Sequence, residues 1–234
     1  MNHIHTFMKS DRDGYEVCCD CGSYHSIAQV NPKILYEEQP YWGDGTGRSG
    51  LPDQCENLLS TDECGISKVD RILQFVPEMG DRVLEIACAP GIMLQKLSER
   101  FLEVYGIEPS DKYIDFICKK APKAKVIHGF FPEVTKPIPD GSFDCIVGLD
   151  VMEHTNDDFG FVHECRRLLT RDGVMVMMSP IILEDGLVKK SDFIPDAHCW
   201  IHTQKFLEPY LKEMFREVKF RRWIVGHEIV ICRK

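Results

Sequence analysis

The sequence predicts an α/β fold: a doubly wound, mostly parallel seven-stranded sheet with a C-terminal antiparallel hairpin, preceded by a small zinc-ribbon-like element. Three observations carry this. Five apolar runs alternate with helical periodicities from residue 66 onward, the pattern of parallel strands joined by crossover helices, and two further runs around Gly226 read as a hairpin. In the first run, Val83, Leu84, Glu85 and Ile86, a buried strand carries a carboxylate and then turns through Ala87, Cys88, Ala89, Pro90 and Gly91 into a helix. Ahead of it, Cys18 and Cys21 have the two-residue spacing of a metal knuckle.

Residues 1–30 are the expected zinc-binding element. Tyr15, Glu16 and Val17 before the knuckle and Tyr24, His25 and Ser26 after it read as two strands, with Gly22 free to turn the backbone. One knuckle supplies two ligands. His3 and His5 are the expected other pair, with Cys19, His25, Cys55 and Cys64 as alternatives, and the plainer reading is two ordinary thiols in a tail. Bound zinc would fold a segment too short to make its own core. The chain has 11 cysteines, and most stand alone in apolar runs, as Cys88, Cys118, Cys145, Cys165 and Cys232 do, which marks them as buried, reduced thiols.

Residues 31–65 are a connecting segment rich in Gly, Pro and aromatics. Tyr41 and Trp42 are costly to leave in water, so they fold over either the domain surface or a ligand, and Tyr41 is a candidate acceptor-side residue. The main domain is read as 66–234. It opens with a helix whose apolar face is Ile66, Val69, Ile72, Leu73 and Val76. After the first strand, Met93, Leu94, Leu97 and Phe101 form the face of the next helix. Strands follow at 103–108, 124–128, 143–149 and 174–178, with helices at 113–119 and around Phe161, Val162, Cys165, Leu168 and Leu169, and Asp172-Gly173 as the turn into the fifth strand. Segment 180–201 is too long for an ordinary connection and reads as a lid or as a cap. Phe206, Leu207, Tyr210, Leu211, Met214 and Phe215 make a last helical face, with Pro209 imposing a kink or a late start.

With 28 basic and 37 acidic side chains the net charge is -9, which disfavours nucleic acid and anionic membrane surfaces as partners. No apolar run is long enough to span a bilayer and no basic-then-apolar leader is visible, so a cytoplasmic protein is expected. A hydrophobic fraction of 44% suffices for a sizeable core.

In such a sheet a ligand binds outside the carboxyl ends of the strands, where the strand order reverses. Glu85 and Glu108, at the ends of the first two strands, are the residues to watch, because a carboxylate ending the second strand accepts both hydroxyls of a ribose. The loop lacks G-x-G-x-x-G, so the dinucleotide fingerprint is absent.

Taken together and in order, the loop 83–91, the run Gly106-Ile107-Glu108-Pro109-Ser110, the strand Phe143-Asp144-Cys145-Ile146-Val147, the triplet Met152-Glu153-His154 and the turn 167–173 resemble the class I S-adenosylmethionine-dependent methyltransferases. The resemblance covers about residues 69–234 and implies their Rossmann-like sheet. It implies that Glu85, with the backbone of Ala87, Cys88, Ala89 and Gly91, holds the methionine part of S-adenosylmethionine. Glu108 takes the ribose, Pro109 flanks the adenine, Phe130 and Phe131 stand where an acid often meets the adenine amine, and Asp150 and Val151 lie under the sulfonium. Ala87 and Ala89 replace the family's usual glycines, which the turn accommodates while φ stays negative.

The expected reaction is methyl transfer to a small polar acceptor, a sugar or metabolite hydroxyl or amine, by in-line attack on a positioned cofactor. For a hydroxyl, His154 and His198 are the candidate proton acceptors, with His202 also at a strand end. The rival readings are a degenerate domain serving as a zinc-containing interaction module and a protein methyltransferase.

Overall fold

The computed structural model describes residues 5–28, Asn31 and 66–234. His3, Tyr41, Trp42, Cys55 and Cys64 therefore lie outside the described residues. The ribbon comprises β1 (Phe7–Lys9), β2 (Tyr15–Cys18) and β3 (Tyr24–Ser26). The main domain begins with α1 (Lys68–Leu73), β4 (Gly80–Ile86), α2 (Ile92–Leu97), β5 (Phe101–Glu108), α3 (Asp111–Lys120) and β6 (Ala124–His128). It continues with β7 (Phe143–Leu149), α4 (Asp158–Leu168), β8 (Leu169–Ser179), β9 (Ile181–Ile182), β10 (Trp200–Thr203), α5 (Gln204–Met214), β11 (Glu217–Ile224) and β12 (His227–Arg233).

Seven strands form one sheet in the order β11-β12-β8-β7-β4-β5-β6. Strands β4 to β8 are parallel, and β12 runs antiparallel between β8 and β11. The expected hairpin is present, but its second strand, not its first, meets β8. The chain winds outward from β4 through β5 to β6, then returns to β7 on the other side of β4. The order thus reverses between β4 and β7, which is where a ligand crevice belongs.

Strand alternation divides the core into two layers. Val83, Val147 and Val176 face α1, α2 and α3, while Leu84, Ile146 and Met175 face α4 and α5. Ser67, Asp157 and Thr203 cap α1, α4 and α5 by accepting the amides of Asp70, Gly160 and Phe206.

Three boundaries differ from the sequence reading. Phe101 begins β5 instead of ending α2, because α2 stops at Leu97, yet its ring fills the same core layer. Leu169 begins β8, and the expected turn at Asp172-Gly173 lies inside this long strand, opposite a register shift in β7 between Phe143 and Cys145. Pro209 sits within α5, whose start at Gln204 is not delayed.

A second, five-stranded sheet has the order β1-β2-β3-β10-β9. The ribbon is therefore not a separate unit: β3 pairs with β10 through His25 opposite Trp200. Segment 180–201 is held from both sides. The Ser26 amide donates to the Cys199 carbonyl at 2.9 Å, and the Cys199 amide donates to the Glu153 carbonyl at 2.7 Å. Such bonding is that of a cap. No helix among the described residues is long and apolar enough to cross a membrane.

Candidate active site

Glu85 lies on the α2 side of β4, opposite Gly106 of β5. Its residue exposure is 4%, and its Oε2 has no hydrogen-bond partner among the described residues. Burial, and then the negative charge of Glu108, push its carboxyl well above the usual range. Glu108 ends β5 and faces the same crevice. It accepts the Ala89 amide at 3.2 Å and the Ser110 amide at 2.9 Å. Burial raises its carboxyl to about 7 against the pull of those two amides. A second face of the crevice comes from the small residues. A Cβ on Gly106 would meet the Cys88 Sγ at 2.6 Å and the Leu94 Cδ1 at 2.8 Å, so that position must be glycine for the loop to close on β5. The Cys88 side chain itself is buried in the core, so only its backbone borders the crevice.

Gly91 takes φ +89°, as a turn into α2 requires, and Ala87 takes φ +58°. The expectation of a negative φ at Ala87 is thus corrected: the turn imposes the left-handed region on an alanine, at a cost of roughly 1–2 kcal/mol. Pro109 accepts a hydrogen bond from His128 Nε2 at 3.0 Å through its carbonyl. Phe131 packs edge-on against Phe161 of α4, with centroids 4.9 Å apart, while Phe130 remains half-buried.

Beyond β7, Asp150 takes φ +48°. The Lys68 ammonium bonds its Oδ2, and His227 Nδ1 stands 3.5 Å from its Oδ1. Burial works to raise this carboxyl, and Lys68 and His227 outweigh it, holding it below the usual range. Val151 follows, half-buried. Next comes a single helical turn, Met152–His154. Its Glu153 is 2% exposed and accepts the Ser179 hydroxyl at 2.8 Å; burial, then Asp150, raise its carboxyl to about 8. His154 and His198 lie edge-to-face with centroids 4.8 Å apart. His154 Nδ1 donates to the Ala197 carbonyl at 2.9 Å and His198 Nδ1 to the Asp192 carbonyl at 2.6 Å. The structure thus brings together the two histidines that the sequence singled out. His202 is elsewhere, buried 3.1 Å from Asp158 and stacked on Trp200.

The ribbon brings His5, Cys18 and Cys21 together, with one ligand atom of each within 4.8 Å of the others. His5 Nδ1 is 3.6 Å from Cys21 Sγ. That spacing suits two ligands of one tetrahedral zinc, which stand about 3.5 Å apart when Zn–N and Zn–S are ordinary. Of the alternatives, His25 lies 3.0 Å from Glu16 and packs on Trp200, and Cys19 is exposed.

A family model described as a methyltransferase domain matches residues 84–177, the span from β4 to β8 that builds the crevice. Across that span the chain is similar to S-adenosylmethionine-dependent methyltransferases. It is 31% identical over 101 residues to a "probable S-adenosylmethionine-dependent methyltransferase" of Mycolicibacterium smegmatis, covering 43% of this chain and 38% of that protein. It is 30% identical over 99 residues to a ubiquinone biosynthesis O-methyltransferase of Bradyrhizobium diazoefficiens, covering 42% and 39%. The matches thus span under two fifths of the length of these curated relatives. In fold, the chain is similar to an S-adenosylmethionine-dependent methyltransferase from Archaeoglobus fulgidus, with a TM-score of 0.61, 19% identity and coverage of 76% of this chain and 97% of that one.

The site also includes residues beyond those expected from the sequence. Lys68 is 4% exposed. The signal was available, since Lys68 shares a helical stripe with Ile72 and Val76 and a lysine there must find a buried partner. Glu153 belongs to the Met152-Glu153-His154 triplet, whose sequence gives it no partner. His227 comes from the hairpin end, and nothing local in the sequence brings it to Asp150.

Proposed function

We propose that this chain is an S-adenosylmethionine-dependent methyltransferase that modifies a small polar acceptor at an oxygen or nitrogen. The observation that carries the reading is the carboxylate pair Glu85 and Glu108, buried at the strand-order reversal, with one Glu85 oxygen lacking a partner among the described residues. A buried carboxylate oxygen left in that state is costly, and a ligand ammonium group would satisfy it. When bound, S-adenosylmethionine supplies a methyl group activated on a sulfonium. Glu85 and the backbone of the loop from Ala87 to Gly91 border its methionine end, Glu108 accepts its ribose hydroxyls, and Pro109 and Phe130 border its adenine. Asp150, fixed by Lys68 and His227, presents a negative edge beneath the sulfonium. Glu153, His154 and His198 form the acceptor side.

The acidic chain argues against a nucleic-acid acceptor. In the ribbon, the His5, Cys18 and Cys21 donor set fits a structural zinc, and the sequence offers His3 as a further candidate ligand. Calorimetric titration with S-adenosylmethionine and S-adenosylhomocysteine tests the main reading. Micromolar binding that weakens by roughly tenfold or more in Glu108→Ala would support it. A folded protein that binds neither compound would leave the interaction-module reading in its place.

A further inference from the structure

The acceptor side contains more than a pair of imidazoles. Glu153, His154 and His198 each bring one ligand atom within 4.8 Å of the other two. Two imidazoles and a carboxylate gathered this closely form a donor set used by divalent transition metals, and donors on one ion stand about 3–4.4 Å apart, so the cluster needs only a small contraction.

Two further observations point the same way. Both Nδ1 atoms donate to backbone carbonyls, those of Ala197 and Asp192, which assigns each ring the tautomer with its lone pair on Nε2. An outer hydrogen bond of this kind orients and strengthens a metal-binding imidazole. Glu153 is buried and makes no ion pair with any described lysine or arginine, because Lys68 bonds Asp150 instead. A buried carboxylate without a cation is expensive, and a bound ion removes that cost.

We propose that Glu153, His154 and His198 hold a divalent cation, of the zinc or manganese class, that binds the oxygen acceptor. The proposal deepens the methyltransferase reading and rests on it for its chemical consequence. Three protein ligands leave coordination positions open, so the favoured acceptor presents two neighbouring oxygens that chelate the ion. A hydroxyl on the cation is acidified and releases its proton to solvent near neutral pH. Its electron pair then forms the bond to the methyl carbon while the carbon–sulfur pair stays on sulfur, giving a methyl ether and S-adenosylhomocysteine. His154 and His198 act here as ligands, and no base of their own is required. Glu153 lies three residues beyond Asp150, in the single turn that follows β7 at the carboxyl end of the sheet.

The test is Mn²⁺ titration of the metal-free full chain, followed by paramagnetic resonance, since the hard Mn²⁺ ion avoids the thiols of the ribbon. Wild type should bind Mn²⁺ at one site, and Glu153→Gln and His198→Gln should each weaken that binding by roughly tenfold or more. Cys18→Ser should leave it unchanged. Glu153→Gln keeps the side chain's shape and its bond to Ser179, and a thermal melt of each variant identifies any that fail to fold. Retention of Mn²⁺ by both folded variants, or no binding by wild type, would overturn the site. S-adenosylhomocysteine is titrated into the same samples. Binding of it without Mn²⁺ removes the cation and leaves the methyltransferase reading, whereas Mn²⁺ binding without it keeps the site and removes the reaction.

Discussion

Lys68 and Asp150 form an ion pair that joins the first turn of α1 to the carboxyl end of β7. The lysine is 4% exposed, so its charge has little water to fall back on. Removing it in Lys68→Met should destabilise the fold by about 2–3 kcal/mol, at the lower end for a buried pair because Asp150 is partly exposed and retains His227. Denaturant unfolding measures this. In Lys68→Met/Asp150→Asn part of the loss should return; strict additivity of the two single effects would mean that the pair does not interact.

Ala87 offers the opposite case, a position where the wild-type residue is the strained one. Its φ of +58° is open to glycine without steric cost. Ala87→Gly should therefore raise unfolding free energy by about 1 kcal/mol, the relief of strain exceeding the added entropy of the unfolded chain. An unchanged or lowered midpoint would show that the loop relaxes away from the left-handed conformation.

Glu108 should couple cofactor binding to pH. Its carboxyl titrates near 4.5 when unfolded and at about 7 in the fold, so the native state binds more protons over that interval. Stability of the ligand-free protein is then greatest below 4.5 and falls as pH rises toward 7, by up to about 3 kcal/mol from this group. Glu108→Gln should flatten the profile. Ribose hydroxyls donate to the ionised form, so binding of S-adenosylhomocysteine near pH 6 should release a proton and strengthen as pH rises. Calorimetry in two buffers of different ionisation enthalpy reads that proton directly.

The ribbon should respond to metal removal. Chelation, or Cys21→Ser, should lower the melting temperature and release roughly one zinc per chain, as measured by a chromogenic chelator. Full retention of the melting temperature with no zinc released would assign Cys18 and Cys21 to ordinary packing.

The strands were legible because parallel, doubly covered strands are written as short continuous apolar runs; 124–128 and 143–149 coincide with β6 and β7. The carboxylates at 85 and 108 were legible for a related reason, since an acid at the end of an apolar strand has no packing role to explain it. Phe101 and Leu169 were assigned to helices because an apolar residue at helical spacing carries the same signal when it starts the next strand in the same core layer. The partners of Asp150 were not legible. Lys68 and His227 arrive from positions far away in sequence, and nothing short of the sheet order brings them together. His154 and His198 were named separately as candidate bases, and their shared geometry with Glu153 emerges only once segment 180–201 is seen to fold back over the turn after β7.

The Ser23 hydroxyl lies 3.3 Å from that of Thr203, a residue 180 positions later, and the strand pair around them is the only backbone ladder between the ribbon and the main domain among the described residues. Closing so long a loop has an entropic cost that no local contact returns in advance. The ribbon is made before the main domain yet finds its partner only after β8 and segment 180–201 exist. Its strand edge must wait unpaired until β10 has been made. An early metal, gripping His5, Cys18 and Cys21 within a span of seventeen residues, would give that waiting segment a shape before its sheet is complete.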